Sequence, residues 1–103
     1  MKLLWTKESL IKLREIEEYI AADNPRAALT FIDKIISLAE SLPENPEKGR
    51  IVPELSITQI REILYKNYRV VYLLRKKSIE ILTVFEGHRL LKKEEILHNR
   101  KSN

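Results

Sequence analysis

The sequence predicts an α+β domain in which an N-terminal α-helical hairpin packs on one face of a small, mainly antiparallel β-sheet. Two observations support this fold class. Apolar residues recur at helical spacing up to position 42, and three runs rich in β-branched and aromatic residues follow at hairpin spacing from position 57. Because 103 residues is the size of one compact domain, we expect a single domain over residues 1–103, with a frayed tail at about 99–103.

The first half of the chain is predicted to form a short strand and two helices. Lys2 to Trp5 has strand character, and Thr6 stands where a helix N-cap is expected. Asn24 and Pro25 then end the first helix and begin a second, which Pro43 ends. So short a link requires the two helices to fold back as an antiparallel hairpin. The apolar positions at helical spacing are Leu10, Leu13, Ile16 and Ile20, then Ala28, Phe31, Ile32, Ile35, Ile36, Ala39 and Leu42.

The second half is predicted to be an antiparallel meander that follows a proline-rich loop over residues 43–55. The expected strands are Ile57 to Tyr65, Tyr68 to Leu74 and Ile79 to Phe85, and a short helix is expected around Lys93 to His98.

The loop between Tyr65 and Tyr68 sets the register of the first hairpin. A two-residue loop puts Arg61 on the inner face, which the helices cover, and Glu62 on the outer face near Arg69. A three-residue loop reverses both positions. The two-residue loop is favoured, because the alternative buries an unpaired carboxylate at a cost of several kcal/mol.

Alternation along the later strands divides their side chains between two faces. Tyr68, Val70 and Tyr72 are expected to face the helices, whereas Arg69 lies outside, opposite Val84. The outer set is largely apolar and is predicted to form an exposed patch, and such patches commonly bind another molecule. The candidate binding residues on this face are Leu64, Val71, Leu73, Leu82, Val84 and Glu86.

Composition excludes several classes of function. The chain has no cysteine, so it has no thiolate metal site, and we expect neither a metal nor a cofactor. No apolar run is long enough for a spanning helix or a signal peptide, so a cytoplasmic protein without a membrane partner is expected. The net charge of +4 favours an anionic partner such as nucleic acid or an acidic protein.

Four segments together resemble the RelE/ParE superfamily of toxins from type II toxin-antitoxin systems, which includes plasmid stabilisation proteins. They are the helical hairpin LIKLREIEEYIAADNPRAALTFIDKI, the loop SLPENPEKGRIVPEL, and the strands IREILYKNYRVVYLL and IEILTVFEGHRLL. The resemblance extends through Leu91. It implies a small cytoplasmic growth inhibitor that a cognate antitoxin neutralises in a hetero-oligomer. It also implies two rival activities: RelE-like members cut messenger RNA on the ribosome, and ParE-like members poison DNA gyrase.

The RelE-like activity is a metal-independent endoribonuclease reaction that uses cations around the phosphate. The resemblance places Arg69 and Arg89 at two phosphate-binding arginines of such nucleases. Three positions depart from the pattern. Ile60 and Glu62 stand where RelE carries lysines, and Glu95 stands where it carries a tyrosine.

A YoeB-like nuclease instead uses a glutamate, an arginine and a histidine, which Glu54, Arg69 and His88 resemble in type. The spacing from Arg69 to His88 is one residue longer than that pattern. The long helical hairpin and the VFEGHRLL ending are more similar to ParE, in which the RelE catalytic set is generally missing. A ParE-like gyrase inhibitor is therefore favoured over a RelE- or YoeB-like nuclease, and a non-toxic basic binding module is the third alternative.

Overall fold

The computed structural model describes residues 1–87, 90–94 and 96, and it confirms the predicted fold class. Two helices pack on a five-stranded sheet with the strand order β1-β5-β4-β3-β2, in which β1 is parallel to β5 and the other neighbours are antiparallel. The elements are β1 Lys2–Trp5, α1 Lys7–Asp23, α2 Pro25–Glu40, a 3₁₀ turn Leu42–Glu44, β2 Arg50–Ile51, β3 Ile60–Tyr65, β4 Tyr68–Leu74 and β5 Ser78–Glu86.

Two side chains fix the helix boundaries, as the sequence predicted. The Thr6 hydroxyl accepts a hydrogen bond from the Ser9 N–H (3.1 Å) and donates one to the Ile81 carbonyl (2.8 Å), so the N-cap of α1 is tied to β5. Asn24 serves both helices. Its N–H donates to the Ile20 carbonyl at the end of α1, and its side-chain oxygen accepts from the Ala27 N–H at the start of α2. This shared residue produces the tight helical hairpin.

The first β-hairpin has the favoured two-residue loop. Tyr65 pairs with Tyr68 and Arg61 pairs with Tyr72, so Arg61 is on the inner face as predicted. Lys66 in the loop has a φ of 54°, which suits the tight turns that join such hairpins.

The inner core lies between the helices and the sheet. The Phe31 ring of α2 lies 4.9 Å from the Tyr68 ring and 5.9 Å from the Tyr65 ring, measured between centroids, and Tyr72 is fully buried. The predicted inward orientation of these tyrosines is confirmed. The buried residues of this core are Leu13, Phe31, Ile35, Ala39, Leu42, Ile63, Val70, Tyr72, Ile79, Ile81 and Val84.

A bulge in β5 shifts the predicted register of the second hairpin beyond Tyr72, while Leu74 pairs with Ile79 at the turn as expected. Tyr72 pairs with Ile81, but the adjacent Val71 pairs with Thr83, so Leu82 is an extra residue. One inserted residue moves every later side chain of the strand to the opposite face. Phe85 instead of Val84 therefore lies opposite Arg69, and Val84 packs in the inner core. The expected outward position of Val84 is wrong for this reason.

The outer face of the sheet is also covered, so the predicted exposed patch is wrong. Val71 is 0% and Leu82 is 2% exposed, and Leu73 is half-buried; of the predicted patch, Leu64 is exposed, at 51%. The cover comes from Val52, Leu55 and Ile57 before the sheet and from Leu91 and Ile96 after it, and the spacing of these residues forms no periodic pattern in the sequence. The buried residues of this outer core are Val52, Ile60, Val71, Leu82, Phe85, Leu91 and Ile96.

The structure of the C-terminal segment confirms part of the short helix predicted there. Lys93, Glu94 and Ile96 are helical, in agreement with the predicted short helix, while the rest of that helix and the predicted frayed tail lie outside the described residues. None of the helices among the described residues has the length and apolar character that crossing a membrane requires.

Candidate functional site

Arg69 is the centre of a buried chain of ion pairs on the outer face of the sheet. Its side chain is 5% exposed. The Nε–H donates to Glu62 Oε1 at 2.6 Å, and the two terminal nitrogens contact the two carboxylate oxygens of Glu54 at 2.8 Å each. The guanidinium also lies 5.0 Å from the centre of the Phe85 ring and 3.4 Å from the Gly87 carbonyl oxygen. One arginine thus joins β4 to β3 and to the loop at Glu54.

Glu62 extends the chain to a second arginine. Its side chain is fully buried, and its Oε2 accepts a hydrogen bond from Arg50 Nε at 2.7 Å. The Arg50 side chain is 56% exposed, so the series of ion pairs reaches solvent at Arg50. The charges alternate in sign from Arg50 to Glu54. Burial of these carboxylates is tolerable because each has a close cationic partner.

Glu54 connects the ion pairs to the C-terminal segment. Its Oε2 accepts a hydrogen bond from the Leu91 N–H at 2.9 Å. The hydrogen bonds from Arg69 lower the pKa of the Glu54 carboxyl from 4.5 to about 2, and the same contact raises the pKa of Arg69. Glu54 is therefore ionised at neutral pH and ties residue 91 to the outer face.

A glycine makes room for the approach of Arg50 to Glu62. A Cβ atom at Gly49 would lie 2.5 Å from the Glu62 carbonyl oxygen and 2.7 Å from the Tyr72 hydroxyl. The Gly49 N–H donates to that hydroxyl (3.0 Å), and its carbonyl accepts from Arg61 Nη1 (3.0 Å). These contacts hold the chain beside β3, where residues 50–51 form the strand β2 inside what was predicted to be a loop.

The sequence identified part of this site. The predicted proximity of Glu62 and Arg69 on the outer face is confirmed, but both side chains are buried and not exposed as expected. The structure also brings Glu54 and Arg69 together, as the YoeB-like hypothesis requires. The roles of Arg50 and Gly49 were missed. One signal for Arg50 was available in the sequence. Arg50 follows Gly49 in the predicted loop, and the carboxylate of Glu62 on the next strand had only one expected cationic partner, Arg69. His88 and Arg89 lie outside the described residues, so their predicted roles stay predictions, and Glu95, which departs from the RelE pattern, also lies outside them.

The paired state of Arg69 and Glu54 limits their chemistry. A carboxylate with a pKa of about 2 is a weak base at neutral pH. The guanidinium holds two carboxylates instead of presenting its donors to solvent. Catalysis would require one residue to exchange its partner for substrate. No group of three or more metal-ligating side chains lies together in the part of the chain that the structure describes.

A second feature is a groove of about 310 Å³ between α1 and the end of β5. Glu86 pairs with Tyr68 and lines this groove, so its predicted place on the outer face is wrong; the bulge at Leu82 is again the cause. Burial raises the pKa of the Tyr68 hydroxyl, and the charge of Glu86 adds to this. Tyr19 on the opposite wall is 77% exposed. The groove is lined by Lys12, Glu15, Ile16, Tyr19, Tyr68, Val84, Phe85 and Glu86.

Comparison with known proteins agrees with this architecture. Toxin RelE2 of Caulobacter vibrioides is 29% identical over 90 residues, which cover 86% of this chain and 98% of that protein. The protein Y4kP of Sinorhizobium fredii is 33% identical over 92 residues, covering 84% of this chain and 88% of that protein. A solved chain of the chromosomal ParDE TA system from P. aeruginosa has the same fold, with a TM-score of 0.69 at 21% identity over 84% of this chain and 95% of that chain.

The family itself is established by a match over most of the chain. The family model of the ParE toxin of the type II toxin-antitoxin system parDE matches residues 3–91. This span includes both helices, four of the strands, β1 except for Lys2, and the ion pairs around Arg69. The chain belongs to the ParE toxin family and is the toxin component of a type II toxin-antitoxin system.

Proposed function

We propose that this toxin inhibits growth by poisoning DNA gyrase without cutting nucleic acid, and that a cognate antitoxin neutralises it by direct binding in the cytoplasm. The observation that carries the proposal is the pairing of Arg69 with both Glu54 and Glu62. Arg69 is the arginine that a RelE-like nuclease would need in order to bind phosphate. Membership of the ParE family points in the same direction.

The chemistry of RNA cleavage explains why this pairing matters. Cleavage needs a base that removes the proton of the ribose 2'-hydroxyl and cations that stabilise the phosphate as its charge increases. Glu54 holds its charge so strongly that it has little tendency to accept a proton. Arg69 has its charge balanced by carboxylates in a site that is 5% exposed. Both residues are better suited to hold the C-terminal segment than to process a transcript.

Induction of the toxin in cells tests the proposal. We expect growth arrest with intact messenger RNA and with gyrase trapped on DNA, and purified toxin is expected to inhibit supercoiling by gyrase. The His88→Ala variant is the matched control, since a YoeB-like nuclease would lose its activity and a gyrase inhibitor would keep its toxicity. Cleaved transcripts with normal supercoiling would contradict the proposal, as would unaffected growth, which the non-toxic binding module predicts.

The second candidate is a YoeB-like messenger RNA endonuclease. It is favoured by one specific observation: the carboxylate of Glu54 lies 2.8 Å from the guanidinium of Arg69, so two of the three residue types of that constellation are in contact. Loss of both toxicity and transcript cleavage in His88→Ala would select this activity. Retention of both would leave no role for the histidine.

The groove beside Glu86 is the proposed antitoxin contact. Of the binding residues predicted from the sequence, Leu64 and Glu86 remain exposed, whereas Val71, Leu82 and Val84 are buried by the protein's own chain. The groove combines apolar and charged lining residues with an exposed aromatic side chain, Tyr19, and aromatic side chains are enriched at protein interfaces.

Two exposed residues allow this contact to be tested. We expect Tyr19→Ala to weaken antitoxin binding at least about tenfold, a change in binding free energy of about 1.4 kcal/mol. Ile51→Ala is the control, because Ile51 is 38% exposed in β2, at the opposite edge of the sheet. Titration calorimetry gives both affinities. Equal affinities in the two variants would show that the groove is not the antitoxin contact.

A further inference from the structure

Two stripes of exposed residues run along the outer face of the helical hairpin, one on each helix. Steps of four, three and four residues keep side chains on one side of an α-helix. Both stripes follow this spacing, and all of their side chains are exposed. The α1 stripe is Lys7, Ile11, Arg14 and Glu18, and the α2 stripe is Leu29, Asp33, Ile36 and Glu40.

Large apolar side chains are part of this surface. Ile11 is 43%, Ile36 is 36% and Leu29 is 62% exposed. Leu10, at 52%, adjoins the α1 stripe. The face of a helix that points away from the core normally carries polar residues. A group of exposed apolar side chains with charged neighbours therefore indicates a surface that binds another protein.

The charges of the stripes have few partners within their own chain. Arg14 pairs with Glu18 at 3.2 Å on the same helix, where both side chains are mostly exposed. Lys7, Asp33 and Glu40 form no ion pair with any residue that the structure describes. These three charges are therefore available to a second molecule.

The two stripes match each other in height and in chemistry. Asn24 alone separates α1 from α2, so residues equally distant from Asn24 in sequence lie at nearly the same height in the hairpin. Three pairs of stripe residues agree in this distance to within one residue, about 1.5 Å along the helix axis. Each pair combines opposite charges or two apolar side chains. The pairs are Lys7 with Glu40, Ile11 with Ile36 and Arg14 with Asp33.

A two-fold axis along the crevice between the helices uses this match. Such an axis keeps every residue at its height and places α1 of one copy over α2 of the other, antiparallel to it. The three pairs then form between the copies, each of them twice. Two helical hairpins packed face to face make a four-helix bundle, a common arrangement of helices. A second copy of the chain therefore fits this surface in both charge and shape.

The size of the surface sets the strength of such a dimer. Helices of 17 and 16 residues are about 25 Å long and neighbouring helices lie about 10 Å apart, so the hairpin offers roughly 500 Å² per copy. A dimer would bury about 1,000 Å² in total, which is the lower limit for a specific interface. We expect a dissociation constant of about 10 µM, in the range of weak dimers.

We infer that two copies of the toxin associate through the outer faces of their helical hairpins in a two-fold dimer. Arg14 of each copy binds Asp33 of the other, and the other two pairs form in the same way. The inference goes beyond the proposed function and does not depend on it, because the surface includes neither the ion pairs at Arg69 nor the groove at Tyr19.

Sedimentation equilibrium of the purified full-length toxin tests the dimer. Between about 1 µM and 300 µM, the average mass should rise from near that of one chain, 12.2 kDa, to nearly twice that value. The mass of one chain at every concentration would overturn the inference. Growth beyond two chains would also overturn it, since a two-fold contact closes after two copies.

Charge reversal at Arg14 and Asp33 gives the sharpest test. Arg14→Glu places two carboxylates at each contact, and Asp33→Arg places two guanidinium groups there. Each variant alone should associate at least about tenfold more weakly than the parent protein. An equimolar mixture should recover the parent affinity to within about threefold, because each contact of the mixed dimer again joins a carboxylate to a guanidinium group. A folding defect in one chain would not be repaired by the other.

A second pair of variants controls for net charge. Lys48→Glu and Glu47→Arg change the charge by the same amounts in an exposed loop outside the hairpin. These variants and their mixture should all associate about as tightly as the parent protein. The inference is overturned if the mixture of Arg14→Glu and Asp33→Arg stays monomeric, or if the control variants lose as much affinity.

The apolar pair is tested at Ile11. Ile11→Asp should weaken self-association at least about tenfold, whereas Leu64→Asp, the same kind of change at an exposed residue of β3, should leave it unchanged. Equal effects of the two changes would overturn the inference. A toxin that stays monomeric, and whose affinity for the antitoxin falls in Ile11→Asp, would overturn it as well and would assign this face to the antitoxin.

Discussion

The Nε atom of Arg69 lies 2.6 Å from Oε1 of Glu62 between two strands, and neither side chain is more than 5% exposed. This pair places a full charge of each sign inside the outer core. A second arginine, Arg50, binds the other carboxylate oxygen of Glu62 from the solvent side. The stability of this region therefore depends on the partners of Glu62 remaining in place.

Removal of the Glu62 charge should destabilise the protein strongly. Glu62→Gln removes the carboxylate that Arg50 and Arg69 share, so Arg69 keeps Glu54 as its one carboxylate partner. Loss of one partner of a buried ion pair typically costs about 3–5 kcal/mol. Chemical denaturation measures this change. Glu18→Gln is the matched control, because Glu18 forms an exposed pair with Arg14 and its loss should cost less than about 1 kcal/mol. Similar losses in both variants would contradict the importance of burial.

The stability of the protein should fall in acid because of Glu54. Its pKa is about 2 in the folded protein and near 4.5 when unfolded, so its contribution is fully present above about pH 4.5 and is lost as the pH falls toward 2. Thermal unfolding measured between pH 6 and pH 2 gives this dependence. Glu54→Gln should be less stable at pH 6 and should show a shallower decline. A decline of equal steepness in the variant would assign the effect to other carboxylates.

Substitution of Gly49 should be costly even for the smallest side chain. The Cβ atom in Gly49→Ala would meet the backbone carbonyl of Glu62 at 2.5 Å, and a strand backbone does not yield easily. We expect a loss of about 1–3 kcal/mol in the free energy of unfolding. In Gly87→Ala the nearest atom, the Asn67 carbonyl oxygen, is 3.2 Å away, so this control should lose less. The reverse order would contradict the packing at Gly49.

Two positions of the predicted patch should lose very different amounts of stability when a charge is introduced. Val84→Asp introduces a carboxylate into the inner core, where Val84 is 0% exposed, and should cost at least about 3 kcal/mol in unfolding free energy. Leu64→Asp, at a residue that is 51% exposed, should cost about 1 kcal/mol or less. A stable Val84→Asp protein would instead support the alternation expected from the sequence.

Local signals in the sequence were sufficient for the first half of the fold. Threonine and asparagine are favoured caps before an amphipathic stretch, and Thr6 and Asn24 both stand in this position. The helical hairpin therefore follows from neighbouring residues alone. The two-residue turn before Tyr68 was predicted correctly, although Glu62 is buried in this register too, where Arg50 and Arg69 pair with it. In each of these cases the deciding interaction is short in range or the competing arrangement carries a large penalty.

The remaining features depend on contacts between distant segments. The bulge at Leu82 puts Phe85 beside Arg69, and no local pattern distinguishes this arrangement from unbroken alternation. The outer core depends on Leu91 and Ile96, which follow the sheet in sequence and fold over it. Glu54 joins Arg69 across 15 positions of sequence and reaches Leu91 across 37. Such long-range pairings leave no periodic pattern in a single sequence, so they could not be predicted from it.

The two cores give the toxin a particular kind of evolutionary freedom. Because its own side chains pack against both flat sides of the sheet, another macromolecule has access to the rims of the sheet, such as the mouth of the groove at Tyr19, and to the outer faces of the helices. Rim residues can change one at a time without loss of packing. A toxin of this design can therefore change its binding specificity to a new antitoxin while its two cores stay the same.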